Sequence, residues 1–265
     1  MRIHALSTGT VTLKHSFLYA STGWRRQVDL LLPGEWSGPV PIHCWAVEHD
    51  GRLLVVDTGE TVGVKDIPFA RFQVGRDDEL PARLAAAGLN LADADTVVLT
   101  HMHGDHMDGA AHVNGPVLVH DEELVFTGTR QARVLSKLLR QPVPAGVEWK
   151  PFALDGGPFG AFPRSRALTD DGRIVAVDTA GHSPGHVSII CIDDDGRHVM
   201  LAGDTSDSLE QLHALRADAV APKPEVYVAT LRRILEHGRA HPTVYLPSHD
   251  PESVARLTGG VELYR

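Results

Sequence analysis

Four side chains able to bind hard or borderline metal ions fall within six residues, in the run Thr100-His101-Met102-His103-Gly104-Asp105-His106. Imidazole and carboxylate together suit Zn²⁺, and less specifically Mn²⁺, Fe²⁺ or Co²⁺. The apolar segment Thr96 to Leu99 leads directly into the run. Read as a buried strand, it delivers His101 and His103 to one side, because strand side chains alternate, and leaves the following turn free to aim Asp105 and His106 elsewhere. Such a run suits two metal ions. The competing reading, a solvated His-rich loop in a chain with 16 histidines, does not explain the apolar lead-in.

Three more residues of ligand type stand in matching places. His182 follows the apolar stretch Arg173 to Val177, Asp204 follows His198 to Ala202, and His249 follows Thr243 to Leu246. Taken singly, each reads as a satisfied structural residue. Together they supply the three further ligands that two metals require.

The elements that must position these residues are legible from periodicity. Ile3 to Leu18 reads as strand with a turn near Thr8-Gly9-Thr10, and residues 19 to 41 lose periodicity while holding Tyr19, Trp24, Leu30, Leu31 and Trp36. That long loop is either a flap over a pocket or a surface loop packed on itself. Ile42 to Val47 and Leu53 to Val56 pair around His49-Asp50-Gly51, and the second ends in Asp57-Thr58-Gly59, where the carboxylate either holds a ligand or caps a turn. Asp78 to Gly88 reads as a covering helix, and Val117 to Val119 as a short strand. Asp121 to Arg140 is mostly helical with Val134, Leu135, Leu138 and Leu139 on an apolar face, and Gln141 to Arg166 is extended or forms a short hairpin. Strands are expected at Val187 to Ile192 and His198 to Ala202, and a helix from Pro224 to Gly238. Both halves of the chain read strands, then a helix, then a Thr-Val-x-Leu strand delivering His. This predicts an internal duplication whose ligands meet at one edge.

Composition narrows the function classes. A formal charge of −9 argues against a nucleic-acid partner, which needs clustered Lys and Arg. With 43% hydrophobic and 22% charged residues, and no apolar run of the ~18 to 20 residues that cross a bilayer, the chain reads as globular with no membrane partner. The N-terminus carries no secretory pattern, so a cytoplasmic location and one domain over residues 1–265 are the expectations. Cys44 and Cys191 read as buried free thiols.

From Val55-Val56-Asp57-Thr58-Gly59 to His249, the chain resembles the metallo-β-lactamase superfamily. The resemblance implies an α/β, four-layer αβ/βα sandwich. It also implies a ligand set: His101, His103 and His182 on a first metal, Asp105, His106 and His249 on a second, and Asp204 bridging them. His186 and Asp57 match supporting positions. A bridging Asp204 is unlike the zinc β-lactamases, and His103 stands where the flavodiiron branch has Glu. What remains resembles the hydrolase branches, and among them the N-acyl-homoserine lactonases associated with quorum quenching.

The expected activity is therefore opening of an acyl lactone by a hydroxide bridging two Zn²⁺, with Asp105 or Asp204 moving the proton. A glyoxalase II-like thioesterase, a pyridoxolactonase-like ester hydrolase and a mononuclear iron persulfide dioxygenase are the alternatives. The last would leave His106 and His249 without a metal, and a non-catalytic metal protein would lack a ligand, whereas none is missing here. The partner is a small molecule, with homodimerisation left open. One position departs from the lactonases: they usually carry Tyr three residues after the bridging Asp to polarise the lactone carbonyl, and here that residue is Asp207. Tyr19 is the candidate replacement donor.

Overall fold

The computed structural model describes residues 1–21 and 23–264, and among them twelve strands form two sheets. The first sheet contains β1 (Arg2–Lys14), β2 (Trp36–His49), β3 (Arg52–Val56), β4 (Ala70–Gln73), β5 (Thr96–Val98), β6 (Pro116–His120) and β7 (Glu148–Phe152), in the order β4-β1-β2-β3-β5-β6-β7. The second contains β8 (Ser165–Ala167), β9 (Ile174–Asp178), β10 (Val187–Ile192), β11 (His198–Gly203) and β12 (Thr243–Pro247), in the order β12-β11-β10-β9-β8. The β2–β3 hairpin closes on Asp50-Gly51, both at positive φ (49° and 72°) as a two-residue turn that matches strand twist demands.

The sheets face each other across a continuous core. Trp45, Val47, Leu54 and Val56 of the first pack with Ala176, Ile189, Leu201 and Leu246 of the second. The strands are apolar on both faces because each sheet also carries helices outside. Leu80 and Leu84, on the helix Leu80–Ala86, bury against Val55, Val97 and Val117. Tyr227, Leu231 and Ile234, on the helix Pro224–Ala240, bury against Val177, Ile190 and Met200. The layers run helix, sheet, sheet, helix, as expected. Each fully buried Leu or Ile in these layers contributes about 1.5–3 kcal/mol, so Leu84→Ala or Leu231→Ala would cost about 2–5 kcal/mol.

The topology explains why ligand-type residues converge. β3 and β5 are parallel, as are β11 and β12, and in each pair the first strand ends in an aspartate and the second leads to a histidine. Asp57 and His101 come from the first pair, Asp204 and His249 from the second. β9 runs in the direction of β11, since each is antiparallel to β10, and so releases His182 at the same end.

Several local expectations need correction. The Thr8-Gly9-Thr10 turn is a bulge inside one long strand: β1 stays paired with β2 on both sides of a register shift, with Gly9 at φ +110° close under Gln73. The segment 19–41 is not uniformly loop, because Arg25–Asp29 is helical and β2 begins at Trp36; Thr22 lies outside the described residues. The helix expected over Asp121 to Arg140 is two, Asp121–Thr127 and Arg130–Leu138, separated at Gly128. The second buries none of its residues, so its apolar face does not join the core. Gln141 to Arg166 contains β7 and β8, one edge strand of each sheet.

Candidate metal centre

The seven side chains singled out in the sequence gather in two adjoining groups. His101, His103, His182 and Asp204 form one, and Asp105, His106 and His249 the other, with the ligand atoms of each group within 4.8 Å of one another. His103 Nδ1 lies 3.0 Å from His101 Nε2 and 2.8 Å from His182 Nε2. In the second group His249 Nε2 is 3.3 Å from Asp105 Oδ2. Asp204 faces both: Oδ1 is 3.1 Å from His106 Nε2, and Oδ2 is 3.4 Å from both His182 Nε2 and His249 Nε2.

The outer nitrogen of four of the five rings, His103 excepted, is fixed by a partner that can only accept, or is made to. His182 Nδ1–H donates to Asp218, His106 Nδ1–H to Asp57, and His249 Nδ1–H to the Pro41 carbonyl. Thr100 gives its hydroxyl proton to Asp57 and so accepts from His101 Nδ1. Neutral rings held this way turn the bare lone pair of Nε2 inward, the form in which imidazole binds metal.

The donor set tests positively for cations. His106 Nε2 and Asp204 Oδ1 are buried, 3.1 Å apart, and neither has a hydrogen-bond partner. With the His106 proton on Nδ1, two lone pairs face each other, and only a proton or a metal ion between them removes the repulsion. Burial alone would lower the His106 pKa, yet Asp204, Asp57 and Asp105 outweigh it and hold it well above the ordinary imidazole value. His249 behaves alike: burial lowers its pKa, and Asp204 and Asp105 raise it more. In the first group the balance is split. Burial and neighbouring imidazoles push His103 down to about 4 and His101 well down, whereas for His182 burial is outweighed by Asp218 and Asp204, which raise it to about 9. The carboxylates of Asp57, Asp105, Asp204 and Asp218 would balance two divalent ions in a site that is otherwise mostly buried.

Asp57, expected either as a support or as a turn cap, is a support: it orients His106 directly and His101 through Thr100. His186 also supports, by accepting the Asp204 N–H at Nε2. Its Nδ1–H then donates to Thr179, which passes a hydrogen bond to Ser188 and on to the Ala202 carbonyl. Gly203 makes this possible at φ +57°, where a Cβ would stand 2.6 Å from His186 Nε2.

Sequence reasoning missed Asp218 and Glu123. Asp218 accepts from His182 at Oδ2 and from the backbone of Val220 and Ala221 at Oδ1, so its carboxylate cannot swing. Buried Glu123 accepts from Met102 N–H, Ser183 O–H and Gly185 N–H, tying the turn that bears His103 to the loop that bears His182. Neither lies in a ligand-like run. Glu123 is the third of three acidic residues in the first turn of its helix, so nothing in the sequence singled it out.

The position of the expected lactonase tyrosine is half-buried Asp207, whose carboxyl burial pushes up to about 7; His249 opposes the shift and Asp204 adds to it. Tyr19 is half-exposed, with ring contacts to His15 and Arg216. Tyr227 stands nearer, its hydroxyl 3.4 Å from the Asp204 carbonyl. Of the apolar segment 19–41, Leu30 joins the core and Trp36 lies under Arg71, while Tyr19, Trp24 and Leu31 stay exposed.

The family model described as the metallo-beta-lactamase superfamily matches residues 37–249. The chain belongs to the metallo-β-lactamase superfamily. Among similar proteins, the N-acyl homoserine lactonase AttM of Rhizobium radiobacter is 20% identical over 275 aligned residues, covering 100% of this chain and 98% of its own. The N-acyl homoserine lactonase AiiA of Bacillus thuringiensis subsp. kurstaki is 21% identical, covering 95% of this chain and 94% of its own. A crystal structure of an N-acyl homoserine lactone hydrolase with N-hexanoyl-L-homoserine bound at its catalytic metal centre superposes with a TM-score of 0.74 at 19% identity, over 99% of this chain and 96% of that one. AidC, a dizinc quorum-quenching lactonase, gives 0.65 at 16% identity over 94% and 87%. At these identities the superpositions establish the metallo-β-lactamase fold. Among the described residues, no helix is long and apolar enough to cross a membrane.

Proposed function

We propose that this chain is a metal-dependent hydrolase that opens acyl lactones. His101, His103 and His182 hold one Zn²⁺, Asp105, His106 and His249 hold a second, and Asp204 bridges them. The observation that carries the reading is the Asp204 carboxylate, one oxygen of which faces His106 of the second group while the other faces His182 of the first. Two divalent ions held close together supply a hydroxide nucleophile at neutral pH and positive charge for the developing oxyanion. Asp57, Asp218 and the Pro41 carbonyl accept the outer ring protons of His106, His182 and His249 and so aim the inward nitrogens at the positions the metal ions would take. Asp105, with 14% of its side chain exposed against 8% for Asp204, is the carboxylate better placed to exchange a proton with the cleft. No Ser or Cys nucleophile is required, and burial pushes the Cys191 thiol up to about 12, which keeps it inert.

The N-acyl homoserine lactonases among the similar proteins support the choice of substrate class. Buried free Cys44 and Cys191 suit a reducing, cytoplasmic setting. Asp207, standing where those lactonases are expected to have Tyr, favours one second reading, hydrolysis of another ester or thioester. A pH-indicator screen of the Zn²⁺-loaded protein against acyl-homoserine lactones, linear esters, thioesters and phosphodiesters decides between them. Acid release from lactones above all other classes is the expected result, and release only from thioesters or linear esters would replace the lactonase reading.

A further inference from the structure

The exposed apolar side chains are not scattered. Ten of the fourteen large apolar residues that stand exposed among the described residues fall in two segments, 19–32 and 125–143. The most open are Trp24 at 76%, Leu138 at 75% and Val125 at 72%. The segments meet at one buried cluster, in which Leu139 packs against the group containing Phe17 and Leu30. The second segment also borders the metal centre, because the Gln141 amide lies 3.3 Å from where a Cβ on Gly104 would stand, between His103 and Asp105.

The helix Arg130–Leu138 shows what kind of surface this is. Val134, Leu135 and Leu138 make an exposed apolar stripe, and Arg130, Arg133 and Lys137 recur beside it at i, i+3 and i+7. Arg140 follows, and no acidic residue occurs from 124 to 147, in a chain whose formal charge is −9. A helix with an apolar face and a cationic margin, lying on the surface with nothing of its own buried, is built to rest in the interface of an anionic bilayer. Trp24 and Tyr19 on the adjoining segment are the side chains that favour that depth, with an apolar ring and a polar edge. The rest of the molecule, being acidic, is repelled from such a surface, so the charge asymmetry also sets orientation.

We propose that residues 19–21 and 23–32 and the helix Arg130–Leu138 form a docking surface for anionic phospholipid, which seats the rim of the metal cleft on the bilayer. The occupant is a lipid surface rather than an acidic protein, because charge complementarity alone would not place the cations alongside an apolar stripe at helical spacing. This departs from the sequence expectation of no membrane partner, which rested on the absence of a spanning segment and did not address peripheral binding. It stands whatever the enzyme hydrolyses.

Vesicle co-sedimentation of the metal-loaded full chain tests it, with phosphatidylcholine alone and with phosphatidylcholine containing phosphatidylglycerol. The wild type is expected to sediment with the anionic vesicles, weakly with the neutral ones, and less as salt is raised. Leu138→Glu should abolish sedimentation, and Lys137→Gln should lower partitioning to anionic vesicles roughly fivefold, with circular dichroism unchanged in both because neither side chain is buried. Failure of the wild type to prefer anionic vesicles overturns the proposal, as does wild-type partitioning by Leu138→Glu. Sedimentation velocity without vesicles supplies the rival outcome. A wild-type dimer that Leu138→Glu dissociates, with no vesicle binding, would assign the surface to a second copy of the chain instead.

Discussion

Asp218 Oδ2 lies 2.5 Å from His182 Nδ1, with both side chains buried. The two sit thirty-six residues apart in the chain, and the carboxylate is pinned from behind by two backbone N–H groups. Asp218 thereby sets the tautomer and aim of His182. Replacing it with Asn keeps the shape but lets the ring adopt the wrong tautomer. Asp218→Asn should weaken the first metal site by about 10- to 100-fold while leaving the second nearly unchanged, as read by competition with a chromogenic chelator. Equal weakening of both steps would show that Asp218 acts on the fold and not through His182.

Asp204 makes the opposite prediction. Since Oδ1 faces the second group and Oδ2 lies between the two, Asp204→Asn should weaken both binding steps, whereas His249→Ala should weaken mainly the second. The same chelator titration separates them. Wild-type affinity in both steps for Asp204→Asn would remove it as the bridge.

Asp207 gives the metal-free protein a pH dependence of known sign. Burial raises its folded-state pKa to about 7 from an ordinary value of 3.8, so the folded state binds that proton more tightly than the unfolded chain. Its contribution to stability is complete below the unfolded value and is lost as pH rises through about 7. A shift of about 3 units amounts to at most about 4 kcal/mol. In urea unfolding of the metal-free protein, Asp207→Asn should lose less stability than wild type between about pH 5 and about pH 8. Identical slopes would mean that Asp207 is solvated.

The same residue stands where a carbonyl-polarising tyrosine is expected. If Asp207 faces the substrate, Asp207→Tyr should raise lactone turnover several-fold, and if it points away the change should be small. Acyl-chain length is a separate variable. Tyr19, Trp24 and Leu31 are exposed, and each methylene of an acyl tail buried against them would add up to about 0.8 kcal/mol. The specificity constant should therefore rise with chain length and then level off. A flat profile across the series would show that the tail makes no contact.

The gathering of the seven candidate residues was legible because the runs that carry them follow apolar strands: His101 after β5, Asp204 after β11, His249 after β12. Strand alternation and the Thr-Val-x-Leu repeat carried that information locally, whereas the layered arrangement came from the resemblance to the metallo-β-lactamase superfamily. Asp218 and Glu123 were not legible, because their partners, His182 and the Met102, Ser183 and Gly185 groups, are brought to them only by packing of the two sheets. The exposed face of Arg130–Leu138 misled for a related reason. Its periodicity is that of a core helix, and only the surrounding structure reveals that none of the described residues covers it.

The central claim is that two ions joined through Asp204 open a lactone, and the most direct measurement is ring opening against metal added to the metal-free protein. With an acyl-homoserine lactone as substrate and acid release as the readout, the rate should rise with Zn²⁺ and reach its plateau at two equivalents per chain, and Asp204→Asn should remove the plateau. A plateau at one equivalent would contradict the dinuclear site, and no ring opening with two ions bound would contradict the lactonase.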